Sequence, residues 1–92
     1  MDSWSDRRRE PRTPGDGPVT LHALAPIRQT FSATLVDQSL SGMRVRHQGR
    51  MLETGELVEF ETDMRKGRAR VMWTRFGGPE GFEAGLYILP AA

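Results

Sequence analysis

Two groups of residues in this chain have the types and spacing to recognise a planar anion. The first is Arg7-Arg8-Arg9-Glu10-Pro11-Arg12, with Arg8 and Arg12 four positions apart. Pro11 disfavours a helix, so the pair reads as extended and spans roughly 13 Å at about 3.3 Å per residue. Arginine forks grip phosphate oxygens bidentately or take the O6 and N7 acceptors of guanine, and their planes stack on bases. A basic cluster of this kind is also commonly just a solvated tail. The second group is Asp37-Gln38-Ser39-Leu40-Ser41-Gly42. A side-chain-capped turn explains every residue of it: Asp37 and Ser39 bond nearby amides, and Gly42 supplies a positive φ. The same turn can also bind. An ionised Asp37 accepts from the N1–H and N2–H₂ donors of guanine, and Gly42 lets backbone approach a flat base. Together the two groups complement guanine and match adenine poorly, because adenine puts a donor where guanine has O6.

These residues need a scaffold, and the apolar pattern describes one. From Val19 onward the period is two. Phe31, Ala33 and Leu35 alternate with polar neighbours, as do Met43 and Val45, Val58 and Phe60, Ala69, Val71 and Trp73, and Phe82, Ala84, Leu86 and Ile88. Asp37–Gly42, Gln48-Gly49, Glu53–Gly55, Asp63–Gly67 and Gly77–Gly81 separate the runs with turn chemistry. With a first strand near Val19–Leu24, about six short strands are predicted. Closing them into an antiparallel β-barrel removes two exposed edges. No window supports a long amphipathic helix, and at most Arg50–Glu53 makes one turn. Residues 1–18 carry four Arg, four acidic residues and three Pro, with Trp4 as the one large apolar side chain. They bury too little surface to offset their ordering entropy, so they read as a flexible arm preceding a barrel over residues 19–90.

Composition narrows the classes further. The 92 residues suit one domain, and the absence of cysteine excludes disulfides and thiolate chemistry. No apolar run approaches the ~18 residues of a membrane span, and the first residues lack a signal-peptide core, so the expected address is cytoplasmic. The net charge of +1 argues against a strongly basic nucleic-acid binder. Of 13 basic residues only Lys66 is lysine, a bias toward planar forks that a GC-rich genome also produces. Trp73 alternates with polar neighbours and reads as core or barrel-wall packing rather than a stacking platform. His22 and His47 have no metal-ligand spacing. Asp37, Ser39 and His47 lack an oxyanion-hole signature, so the reading is a binding module, with no catalytic residue, metal or cofactor.

The ordered pair of motifs, Arg8-x-x-x-Arg12 followed by Asp37-x-Ser39-x-x-Gly42, resembles the PilZ domain, the bacterial receptor module for cyclic di-GMP. Leu52-Glu53-Thr54-Gly55-Glu56-Leu57-Val58 and Gly85-Leu86-Tyr87-Ile88 are similar to strand segments of the same family. The resemblance implies a six-stranded barrel whose arm folds over the dinucleotide, bound as one molecule or a stacked pair. It implies that Arg8 and Arg12 grip phosphate and guanine, that Asp37, Ser39 and Gly42 hold the guanine edge and ribose-phosphate side, and that Arg7 adds a contact. Ordering of the arm would then alter the surface shown to a downstream protein partner, with motility and exopolysaccharide synthesis as typical outputs. Many members carry a C-terminal helix, and the ending Pro90-Ala91-Ala92 predicts none here. Trp4, other arm residues or self-association would then close the barrel end. The alternative is a small barrel that binds protein or single-stranded nucleic acid and not the dinucleotide. Its seven aromatics are few for a nucleic-acid platform.

Overall fold

The computed structural model describes residues 11–25 and 27–90. Seven strands follow one another: β1 (Thr13–Pro14), β2 (Pro18–Ala23), β3 (Gln29–Gln38), β4 (Gly42–His47), β5 (Leu57–Glu61), β6 (Lys66–Phe76) and β7 (Phe82–Ile88). A 3₁₀ turn, Gly78–Glu80, links β6 to β7. Every pairing is antiparallel, in the order β3-β2-β5-β6-β7-β4, and β4 returns to β3. That return closes the predicted six-stranded barrel and leaves it without a free edge.

Strand alternation builds the core. Val19, Leu21 and Ala23 of β2, Phe31, Ala33 and Leu35 of β3, and Met43 and Val45 of β4 point inward. They meet Val58 and Phe60 of β5, Ala69 and Val71 of β6, and Ala84 and Leu86 of β7. Leu52, from the loop between β4 and β5, joins this cluster and is fully buried. The Arg50 fork holds that loop through two hydrogen bonds to Glu56, at 2.6 and 3.1 Å, and the Glu53 amide donates to the same carboxylate at 3.0 Å. A loop side chain thus plugs the barrel. The closure suggested above for Trp4 lies outside the described residues.

The arm differs from expectation where it is described. Thr13 and Pro14 pair with Gln38 and Asp37, the Gly15 amide donates to Val36 O at 3.0 Å, and the Leu35 amide donates to Gly17 O at 2.9 Å. Backbone pairing to β3 supplies what the side chains of this polar stretch lack. It brings Arg12 against the barrel wall.

Two irregularities interrupt the alternation. The register of β3 on β4 shifts between Leu35 and Asp37, and that of β6 on β7 shifts between Val71 and Trp73. Each inserts one extra residue, Val36 and Met72 respectively, so the next side chain changes face. Leu35 points inward and Asp37 outward; Val71 points inward and Trp73 outward. Trp73 is 38% exposed, so of the two packings expected for it the core is excluded and the barrel wall remains: the period-two count failed at Met72.

On the outer wall Glu83 lies between Arg46 (3.0 Å) and Arg75 (2.8 Å), with its side chain only 9% exposed. Burial pushes the Glu83 and Glu56 carboxyls up, but the Arg46 and Arg75 forks on one and the Arg50 fork and Glu53 amide on the other outweigh it. Both groups are held below their ordinary value of 4.5. A carboxyl lowered in the folded state stabilises fully above its unfolded pKa, and that contribution is lost as pH falls through the folded value. Urea midpoints are therefore expected to be level with respect to these two groups from neutral pH to about 5 and to fall below 4.5. Glu83→Gln should cost about 1 kcal/mol at neutral pH, a low figure because both arginines are partly exposed, and should flatten the acid limb. An acid limb unchanged in Glu83→Gln would refute the assignment.

Candidate functional site

The bulge at Val36 places Asp37 opposite Arg44 on β4, Arg44 lies opposite Gly85 on β7, and Gly85 lies opposite Trp73 on β6. Four neighbouring strands thus present Asp37, Arg44, Gly85 and Trp73 as one outward row. Arg12, arriving beside β1, adds to the Asp37 end.

Asp37 is shared. Arg12 donates to Oδ1 from Nε (3.3 Å) and NH2 (2.8 Å), and Arg44 donates to Oδ2 from NH2 (2.7 Å). The carboxylate is 17% exposed, whereas the Arg12 side chain is half exposed and that of Arg44 about a third. Each fork uses only part of its five donors on Asp37. The Arg44 Nε is buried and has no hydrogen-bond partner among the described residues. A carboxylate held this way lets two cations stand close together and fixes the directions of their remaining N–H groups.

The other end of the row is a platform. A Cβ at Gly85 would coincide with the Trp73 indole, so only glycine lets the ring lie against the β7 backbone. The Arg75 guanidinium stands 5.5 Å from the ring centroid. Gly42 has a related role, and here the structure corrects the turn reading. Gly42 does not adopt a positive φ; it opens β4, and a Cβ there would lie 3.3 Å from Leu86 O and 3.6 Å from Ser39 Oγ. The glycine is needed for space, not for its dihedral. The turn itself closes through the Ser39 amide on Gly42 O at 2.8 Å, and β7 secures its far side through the Ile88 amide on Ser41 O, also at 2.8 Å.

These elements surround a cleft of about 520 Å³, within the usual range for small-molecule sites. Of the residues singled out from the sequence, Arg12, Asp37, Ser39 and Gly42 line it together. Arg7 and Arg8 lie outside the described residues. Arg44, Met72, Trp73, Gly85 and Tyr87 are among the further lining residues and were missed as site residues. Arg44 was detectable, since two positions after Gly42 on a strand is the same face. Trp73 was not, because nothing local marks Met72 as a bulge.

The hydrolytic constellation does not assemble. His47 is buried between the Phe31 and Phe82 rings, each 5.8 Å away, and its Nδ1 meets Gln48 O at 3.0 Å instead of a serine. His22 sits apart on β2, bonded to Thr30.

The seating of Trp73 is directly testable. Gly85→Ala is expected to lift the indole off β7, shift its N–H resonance in a Trp4→Phe background, and cost about 1–3 kcal/mol, as overpacking does. An unmoved Trp73 resonance would show that the ring does not rest there.

Comparison with curated proteins finds no match. The PilZ domain family model matches residues 6–87, which include both arginine-containing and Asp37–Gly42 motifs and the strands that carry the cleft. PilZ is a family of receptor domains for cyclic di-GMP and not a catalytic one. With 82 of 92 positions inside the match, the chain belongs to the PilZ domain family.

Proposed function

We propose that this domain is a cyclic di-GMP receptor and that the cleft between Arg12 and Trp73 is its binding site. The observation that carries the reading is the sharing of Asp37 by Arg12 and Arg44 beside an exposed indole. Two guanidiniums half-neutralised by one carboxylate leave a net positive charge and several aimed donors. Those donors suit phosphate oxygens and the O6/N7 edge of guanine. Arg12 fills Oδ1 of Asp37 twice and Arg44 fills Oδ2 once, which leaves Oδ2 to accept from guanine N1–H or N2–H₂. The second acceptor comes free when Arg12 turns to the ligand. Trp73 supplies an aromatic face on which a base stacks. Ser39 and Gly42 border the ribose-phosphate side.

Arg7 and Arg8 reach the ligand from the stretch that precedes Pro11. Drawing that stretch over the barrel changes the surface offered to a downstream protein, a switch set by differential contact with the bound state. Binding of this kind makes the domain an adaptor and requires no chemical step.

Calorimetry with cyclic di-GMP, with cyclic di-AMP as control, tests the proposal. Saturable binding is expected for the guanine ligand and much weaker binding for adenine, whose N6 donor faces the arginine donors. Arg12→Ala and Asp37→Ala should each lose about 1.5–3 kcal/mol, roughly 10- to 150-fold in Kd, while the barrel stays folded. Arg8→Ala should weaken binding in the same range. Equal affinity in the wild type and in all three variants, or equal affinity for both dinucleotides, would overturn the assignment.

A further inference from the structure

Arg65 stands in the turn between β5 and β6, 25 residues beyond Leu40, and it does not line the cleft. Its guanidinium nevertheless ends on the ligand turn. NH1 donates to Leu40 O at 3.2 Å, and NH2 donates to Ser39 O at 3.0 Å and to the Gln38 side-chain oxygen at 3.1 Å. The base of this arm is itself fixed. The Thr62 amide and hydroxyl both donate to Arg65 O, at 2.8 and 3.1 Å, and the Thr62 hydroxyl accepts from the Arg65 amide at 3.1 Å.

The geometry points to Arg65 as the positioning residue of the binding turn: it fixes the Ser39 and Leu40 carbonyls away from the cleft. Ser41 O is already taken by the Ile88 amide, so three successive carbonyls of the turn are each held by a donor from another part of the barrel. This matters for an anionic ligand. A released carbonyl swings its negative end wherever the backbone allows, and beside a phosphate or guanine O6 it repels. Leu40 is 80% exposed, so packing of its side chain does not restrain the turn. The restraint comes from the arginine. Lysine cannot replace it, because a single ammonium on a flexible stem does not span three acceptors held by a planar fork.

The affinity consequence rests on the cyclic di-GMP reading above; the restraint on the turn does not. The experiment therefore has two arms on the full chain. In ligand-free protein, Arg65→Met is expected to speed exchange of the Ser39 and Ile88 amides, which bond to Gly42 O and Ser41 O in the turn, at least tenfold while Val45 and Leu86 keep their protection. With cyclic di-GMP, Arg65→Met should raise Kd at least tenfold, and Arg65→Lys should recover less than threefold of that loss. Should Arg65→Met fail to fold, Thr62→Val loosens the base of the arm with the guanidinium intact, and the same two changes are expected. Unchanged turn exchange overturns the proposal whether or not the ligand binds. Unchanged affinity in a binding-competent background overturns it too, as does full rescue by lysine, which would mean simple attraction of an anion. A wild type that binds no cyclic di-GMP sinks the receptor reading alone, and the exchange arm still decides the role of Arg65.

Discussion

A closed barrel gives each strand residue one of two directions, and a single extra residue reverses every assignment after it until the strand ends. The cleft depends on that reversal occurring twice. Were Val36 an ordinary strand residue and not a bulge, Asp37 would share the inward face of Leu35, and an unpaired carboxylate would enter a core of Val, Leu and Phe. Were Met72 an ordinary strand residue, Trp73 would share the inward face of Val71, in a space already filled. Both bulges sit beside the same pair of strands, β4 and β7, which run through without a break in their mutual register. The regular pair supplies the floor, and the irregular pair turns the functional side chains onto it.

Charge on this wall follows one repeated arrangement. Asp37 lies between Arg12 and Arg44, and Glu83 lies between Arg46 and Arg75. Each carboxylate cancels one of two positive charges and holds both forks still, so arginines crowd one face without driving each other apart. Isolated surface ion pairs contribute little. Here the carboxylates are mostly covered and two-fold coordinated, which makes them organisers of donors more than sources of stability. The overall charge of +1 hides this local concentration.

Much of this was legible in the chain itself. Period-two runs located the six barrel strands, because a barrel wall has one wet and one dry face. The Asp37–Gly42 turn and Arg12 were marked by residue types that suit few other tasks. What stayed hidden has definite causes. Trp73 was read as core or barrel-wall packing, and its outward face stayed hidden because a bulge has no local signature. Gly42 was given a positive φ because turns often demand one, whereas its true constraint is Leu86 O, 44 positions away. Thr13–Pro14 seemed unstructured because side-chain composition is silent about backbone pairing to β3. The contacts of Arg44 with Asp37 and of Arg65 with Ser39 need the fold before they exist.

The paired bulges also bear on how such a domain can change length. The hairpin connection at residues 77–81 tolerates insertions in principle, since a longer loop alters closure entropy only slowly, whereas 48–56 carries Leu52 into the core and 62–65 carries the Arg65 arm. Loss of residue 36 or 72 would remove the bulge and leave a regular strand with Asp37 or Trp73 still on the outer face, whereas drawing either residue into the regular alternation would turn that charge or indole toward the centre. Descendants of this chain can therefore drift in loop length and can even shed a bulge residue with the outward row intact. A residue gained or lost within β4 or β7, unless a new bulge absorbs it, turns every following side chain to the wrong face.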